Sequence, residues 1–185
     1  MQVMELGHVV LYVRNLERSA YFYRDVLGWR QIIPAMSDPE SEPDGHRGLD
    51  ASTPPAPGSR RSGPSAGTLG GAKVAAFSSP SNRTHHELLL IEVGEAAQAI
   101  PHGRRVGLYH FGLKIGNDDD ALREALSKLR QAGVPITGAS DHTVTHSLYV
   151  TDPDGNDIEL YIDVAGMDWI KDPELIGAPI RPLSL

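Results

Sequence analysis

Three side chains able to bind a divalent metal stand at comparable points of runs rich in aliphatic and β-branched residues. They are His8 in Gly7-His8-Val9-Val10-Leu11-Tyr12-Val13, His110 in Tyr109-His110-Phe111-Gly112-Leu113-Lys114-Ile115, and Glu159 in Asp157-Ile158-Glu159-Leu160-Tyr161. Alternate side chains of a strand share a face. His8 then groups with Val10 and Tyr12, His110 with Gly112 and Lys114, and Glu159 with Tyr161. Two imidazoles and one carboxylate, converging, are the donor set of a non-haem Fe(II) centre with positions open for substrate and O2; Mn(II) is a reasonable substitute. Any one of these residues alone is more often structural or solvated. Their recurrence at matching places favours a shared site.

Composition narrows the chemistry further. The 185 residues include no Cys, which removes disulfides, thiolate zinc sites, iron–sulfur clusters and cysteine nucleophiles. A reactive centre must use oxygen and imidazole. The formal net charge is −7, and the basic residues are scattered apart from Arg60-Arg61 and Arg104-Arg105, so nucleic acid is not an expected partner. The apolar start, 1–13, lacks a basic leader and a small-residue cleavage site, and no apolar run reaches the roughly 20 residues of a membrane span. A soluble, cytoplasmic protein is the expectation.

The elements that must position the three residues occur twice, as an α+β unit. In the first pass 6–13 reads as a strand, Asn15 caps a helix over 16–27, and Gly28 ends it. Strands follow at 29–33, 73–77 and 86–93. In the second pass 108–115 is a strand, Asn117 or Asp118 caps a helix striped with Leu122, Ala125, Leu126 and Leu129, and Gly133 closes it. Strands at 134–137, 144–151 and 157–162 complete the unit, the last two joined by the turn Asp152-Pro153-Asp154-Gly155. Each pass is β-α-β-β-β.

His110 follows His8 by 102 positions, whereas Glu159 follows His86, at the start of the matching closing strand, by only 73. An insertion of about 30 residues in the first copy accounts for the shortfall. The segment 37–72 holds 6 Pro, 7 Gly and 6 Ser and few large aliphatic residues, so it reads as a flexible insert. The organisation expected is a single domain spanning 1–185: module 1 at 3–94 with the insert 37–72, module 2 at 107–163, and a tail, 164–185, lying on the surface or on a partner subunit.

Two stretches resemble a known family. They are the first strand and helix, from Gly7-His8-Val9-Val10 through Asn15-Leu16-Glu17-Arg18-Ser19-Ala20-Tyr21-Phe22-Tyr23 to Leu27-Gly28-Trp29, and the closing Ser147-Leu148-Tyr149-Val150-Thr151-Asp152-Pro153-Asp154-Gly155-Asn156-Asp157-Ile158-Glu159-Leu160-Tyr161. Both are similar to the vicinal oxygen chelate superfamily, which contains glyoxalase I, type I extradiol dioxygenases, fosfomycin-resistance enzymes and bleomycin-binding proteins. The resemblance implies paired βαβββ modules forming an open, cup-shaped sheet around a metal. Residue by residue it favours the single-domain extradiol dioxygenases of aromatic catabolism. It implies Fe(II) held by His8, His110 and Glu159, with a catechol and O2 as substrates.

The same resemblance implies three further residues. His85-His86-Glu87-Leu88-Leu89-Leu90 is similar to the family's His-His-x-x-x-Leu strand and points to His86 as acid–base catalyst, suited by an ordinary pKa near working pH. Tyr149, ten residues before Glu159, would donate a hydrogen bond to a substrate or dioxygen oxygen. His142, in Asp141-His142-Thr143-Val144, would stabilise developing negative charge, although its spacing is shorter than in the two-domain enzymes. His146 falls on the face opposite Tyr149 and stays outside the site. A homodimer or higher homo-oligomer is expected by analogy.

Two alternatives belong to the same superfamily. A glyoxalase I-like lyase or isomerase would use Ni(II) or Zn(II) and a fourth ligand, for which Glu87 or Glu92 are the candidates. Strand alternation lets either His86 or Glu87 face the cup, never both. A non-enzymatic binder of an antibiotic or other small molecule would dispense with the metal residues altogether.

Overall fold

The computed structural model describes residues 1–34, 67–80 and 84–185. Its described elements follow the doubled pattern. Module 1 contains β1 (Val9–Val13), α1 (Leu16–Tyr21), β2 (Arg30–Ile33), β3 (Gly67–Leu69), β4 (Ala72–Ser78) and β5 (Leu88–Glu92). Module 2 contains β6 (His110–Gly116), α2 (Asp119–Gln131), β7 (Ile136–Asp141), β8 (Thr145–Thr151) and β9 (Asp157–Asp163), and β10 (Arg181–Pro182) lies in the tail.

Each module folds into one open mixed sheet. The first runs β1-β5-β4-β2, with β3 also on β4, and the second β10-β7-β8-β9-β6. In both, the opening strand is parallel to the closing one, β1 with β5 and β6 with β9. The strand that begins at His110, and the one that begins directly after His8, therefore each lie beside the closing strand of their own module. β1 and β6 are also the outer strands of their sheets, with no strand partner on the far side among the described residues.

Local chemistry explains the boundaries. Asn15 accepts the Arg18 N–H at 3.0 Å and starts α1; of the two expected caps of α2, Asp118 is the one used, accepting the Ala121 N–H at 3.0 Å. Gly28 and Gly133 follow the helices at φ +81° and +70°, where a residue without Cβ is least strained. The expected helix over 16–27 is not uniform: after Tyr21 it widens into a π-type segment, Phe22–Val26. A regular helix separates neighbouring side chains by about 100°. The wider turn buries both Phe22 and Tyr23, their rings edge to face at 5.3 Å.

Two expectations change. The ordered chain reaches inside 37–72, because Gly67–Leu69 pairs with β4 across the two-residue turn Gly70-Gly71. Both glycines have positive φ, as a tight hairpin turn demands; the rest of the insert, 37–66, lies outside the described residues. The tail, expected on the surface or on a partner subunit, also joins its own chain's fold, since β10 adds an antiparallel edge to β7 and Leu183 and Leu185 pack on the core.

One apolar core joins the modules, from Leu11, Val13, Tyr23, Phe77, Leu88 and Leu90 to Leu122, Leu129, Leu148, Val150, Ile158 and Ile162. The β8–β9 turn then bolts onto α1. Asp154 accepts from Ser19 Oγ at 2.6 Å and from the Arg14 N–H at 2.9 Å, and its carboxylate pairs with Arg18 at 3.1 Å. Asp152 accepts from Tyr23 Oη at 2.8 Å. Burial, and then the Asp152 charge, push the Tyr23 phenol well above its ordinary pKa, so it stays the donor that Asp152 requires. Among the described residues no helix is long and apolar enough to cross a membrane.

Candidate metal centre

Glu159 organises the clearest cluster. It sits opposite Gly112 in the β6–β9 ladder and opposite Tyr149 in the β8–β9 ladder, which explains the ten-residue spacing of Tyr149 and Glu159: they are cross-strand neighbours. Oε1 accepts from Ser147 Oγ at 2.6 Å and from Tyr149 Oη at 3.0 Å. That leaves Oε2 turned toward His110 Nε2, 3.2 Å away. Bonds to the outer oxygen fix the orientation of the free one, as supporting partners do for metal-ligating carboxylates.

His142 joins from the β7–β8 turn. Its Nε2 lies 2.7 Å from Tyr149 Oη and 3.8 Å from Glu159 Oε1. Tyr149 thus links the imidazole to the carboxylate. Burial, followed by the Glu159 charge and hydrogen bond, raises the Tyr149 pKa far above its ordinary value, so the phenol remains protonated and able to donate.

Two nitrogen or oxygen ligands at about 2.1 Å from a common metal are themselves roughly 3 to 3.4 Å apart. The His110 Nε2–Glu159 Oε2 separation of 3.2 Å fits one edge of such a coordination shell. Gly112 keeps the space beside it clear: a Cβ there would stand 3.2 Å from Tyr161 Cε1 and 3.6 Å from Glu159 Oε2. His110 Nδ1 is buried with no hydrogen-bond partner. The chemistry of the pair suits a divalent metal. Among the described residues, however, no three His, Asp or Glu side chains form a metal-holding group.

His8, the third ligand expected from the sequence, lies elsewhere. The structure places it with His85 and His86, ring centroids 6.0 and 4.8 Å away, rather than in the Glu159 cluster. His85 Nδ1 and His86 Nδ1 lie 2.6 Å apart. Burial, then the neighbouring His85 and His8, lower the His86 pKa. Of the six expected site residues, His110, His142, Tyr149 and Glu159 are brought together, and His8 and His86 form a second group.

The register settles which position of module 1 corresponds to Glu159. Val10 pairs with Leu89 where Gly112 pairs with Glu159, so the counterpart is Leu89 and not His86, the residue the sequence spacing had aligned with it. The connection between β4 and β5 is longer than that between β8 and β9, which displaced the count. The carboxylates nearest Leu89 in the chain are engaged elsewhere. Glu87 accepts the Ser79 N–H and Ser79 Oγ, both at 2.9 Å; Glu92 accepts the Leu16 N–H at 2.9 Å and pairs with Lys73 at 3.0 Å.

Ser147 and Tyr161 were not singled out from the sequence. Strand alternation carried the signal for both, since Ser147 shares a face with Tyr149, and Tyr161 with Glu159.

A model of the Glyoxalase/Bleomycin resistance protein/Dioxygenase superfamily matches residues 5–160. Catechol-2,3-dioxygenase of Bacillus subtilis (strain 168) is 30% identical over 169 residues, covering 91% of this chain and 45% of that protein. The chain therefore spans less than half the length of this curated relative. Among solved structures, the glyoxylase/bleomycin resistance protein/dioxygenase domain from Frankia sp. EAN1pec superposes with a TM-score of 0.61 at 17% identity, covering 90% of this chain and 96% of that one. A glyoxalase/dioxygenase from Nostoc punctiforme gives 0.55 at 20% identity, with 86% and 90% covered. The fosfomycin resistance protein FosX from Listeria monocytogenes gives 0.52 at 13% identity, with 89% and 97% covered. At these identities the structural likeness establishes the fold alone.

Proposed function

The chain belongs to the Glyoxalase/Bleomycin resistance protein/Dioxygenase superfamily, and from that premise we propose that it is an extradiol dioxygenase, cleaving a catechol-type ring beside its vicinal hydroxyls with insertion of both atoms of O2. One observation carries this reading above the others. Leu89 stands where a second carboxylate would complete a four-ligand, glyoxalase-like set. What remains is two histidines and one carboxylate, the pattern suited to Fe(II) with open positions.

His8, His110 and Glu159 would hold the metal, which when bound supplies the redox-active centre at which a catechol and O2 meet. The chain's own groups do the rest. Ser147 and Tyr149 orient the carboxylate. His142 and Tyr149, paired at 2.7 Å, would turn their N–H and O–H donors from each other and from Glu159 Oε1 to substrate oxygens, where they stabilise negative charge. His86, its conjugate base favoured by its lowered pKa, takes a proton from a catechol hydroxyl and returns one as the ring opens.

Because His8 and His86 stand apart from the Glu159 cluster within one chain, we infer a homodimer in which they serve the cluster of a second copy. Among the described residues both opening strands have an unpaired edge, and Leu6, Val10, Tyr12, Leu108 and Tyr109 leave apolar surface uncovered on and beside them. Unpaired edges invite pairing with another chain, and a two-fold dimer would form both junctions at once.

The test is parallel reconstitution of metal-free protein with Fe(II), Ni(II) and Zn(II). The proposal expects catechol-dependent oxygen uptake with Fe(II) and no isomerisation of a hemithioacetal with Ni(II) or Zn(II); the reverse result would replace it with the glyoxalase reading.

A further inference from the structure

His146 faces away from the Glu159 cluster, on the side of β8 that packs toward α2, and the function proposed above makes no use of it. Its two ring nitrogens nevertheless meet two carboxylates on different elements. Nδ1 lies 2.6 Å from Asp119 Oδ1 in the first turn of α2, and Nε2 lies 3.7 Å from Asp141 Oδ1 at the end of β7. Asp141 is also its cross-strand partner in the β7–β8 ladder. A single half-buried imidazole is therefore bonded to α2 through Asp119 and stands within ion-pair range of Asp141, at the start of the turn that carries His142.

That turn is strained. Thr143 has φ +72°, the one positive value at a non-glycine among the described residues. A β-branched side chain is a genuine outlier there, and the surroundings must offset its strain. The same Asp141 Oδ1 that faces His146 accepts the Thr143 N–H at 2.7 Å. The turn is closed by the His142 N–H to Thr145 O at 2.9 Å and the Val144 N–H to His142 O at 2.8 Å. Between the two residues of this arrangement, Asp141 and Thr143, sits His142, with Nε2 at 2.7 Å from Tyr149 Oη.

The geometry points to His146 as a positioning residue: by bridging Asp119 and Asp141 it holds the Asp141–Thr143 turn in the strained form that directs His142 at Tyr149. A carboxylate released from His146 is free to rotate toward water, and the left-handed Thr143 then loses the acceptor that keeps it. The role of His142 rests on the dioxygenase reading. The claim about the turn does not.

The experiment compares wild type with His146→Leu by amide hydrogen exchange and by the NMR signals of the His142 ring, together with kcat and KM for catechol on the Fe(II) protein. The inference expects Thr143 exchange to accelerate about tenfold or more, the His142 ring signals to shift, and kcat to fall about tenfold with KM and iron content within about twofold. Unchanged Thr143 exchange and His142 signals would overturn it, whatever the activity. A variant that merely loses thermal stability while those signals and kcat hold would also overturn it. Should His146→Leu fail to fold, Asp119→Ala removes the other end of the bridge from a side chain that is 35% exposed, and the same changes are expected. If wild type shows no catechol turnover, the dioxygenase reading fails, and the exchange and ring signals alone decide the inference.

Discussion

Leu89 occupies in the first module the ladder position that Glu159 occupies in the second, each opposite the residue two places after the opening histidine. The two copies of the fold have thus diverged at the point that matters most for metal chemistry. Around it, Val10, Ala76 and Leu89 line the first sheet where Gly112, Tyr149 and Glu159 line the second. The first set is wholly aliphatic, whereas the second carries a phenol and a carboxylate.

Metal binding should follow this asymmetry. Glu159→Gln removes a ligand and is expected to leave substoichiometric iron after dialysis. Glu87→Gln changes a carboxylate already bonded to Ser79 and is expected to bind iron like wild type. Iron content by elemental analysis checks both, and loss of metal in Glu87→Gln would restore the four-ligand reading.

The groups behind Glu159 should separate affinity from rate. Ser147→Ala deletes the 2.6 Å bond to Oε1 and is expected to weaken iron binding by about 10–100-fold, the usual cost of losing a partner of a metal ligand. Tyr149→Phe is expected to lower kcat by about 10²–10³-fold, the scale of removing one donor to developing negative charge. Iron titration and steady-state oxygen consumption measure the two effects.

A site shared between copies predicts complementation. His8→Ala and His110→Ala should each be inactive alone. Mixed by unfolding and refolding together, they should form heterodimers in which one of the two sites is intact and activity returns. Sites contained within one chain would stay dead in every mixture.

Acid should loosen the entry to α1. The Leu16 N–H, and then Lys73, lower the Glu92 pKa, so its contribution to stability is complete above the unfolded carboxyl value of about 4.3 and is lost as pH falls through the lower folded value. Melting temperatures measured from pH 6 to pH 3 should fall more steeply in wild type than in Glu92→Gln, whose amide oxygen still accepts from Leu16 but does not titrate.

Much of this was legible in the residues. The opening histidines, the caps Asn15 and Asp118, the terminating glycines and the Tyr149–Glu159 pair all follow from local pattern, because strand alternation and helix capping are short-range rules. The module 1 counterpart of Glu159 was misplaced, at His86 rather than Leu89, because the register depends on the length of the β4–β5 connection and a run such as Leu88-Leu89-Leu90 looks alike in any register. The separation of His8 from His110 was illegible for a different reason. Alternation tells which face of a strand a side chain takes, whereas the meeting of two sheets is decided by packing across the whole core and by the Asp152 and Asp154 bonds to α1.

The most direct measurement is the optical spectrum of the Fe(II) protein on anaerobic addition of catechol, followed by admission of air. The account predicts a change in the spectrum before oxygen enters, and afterwards the yellow ring-opened product with one O2 consumed per catechol. Protein carrying its full complement of iron that shows neither the spectral change nor oxygen uptake with any of several catechols would contradict it.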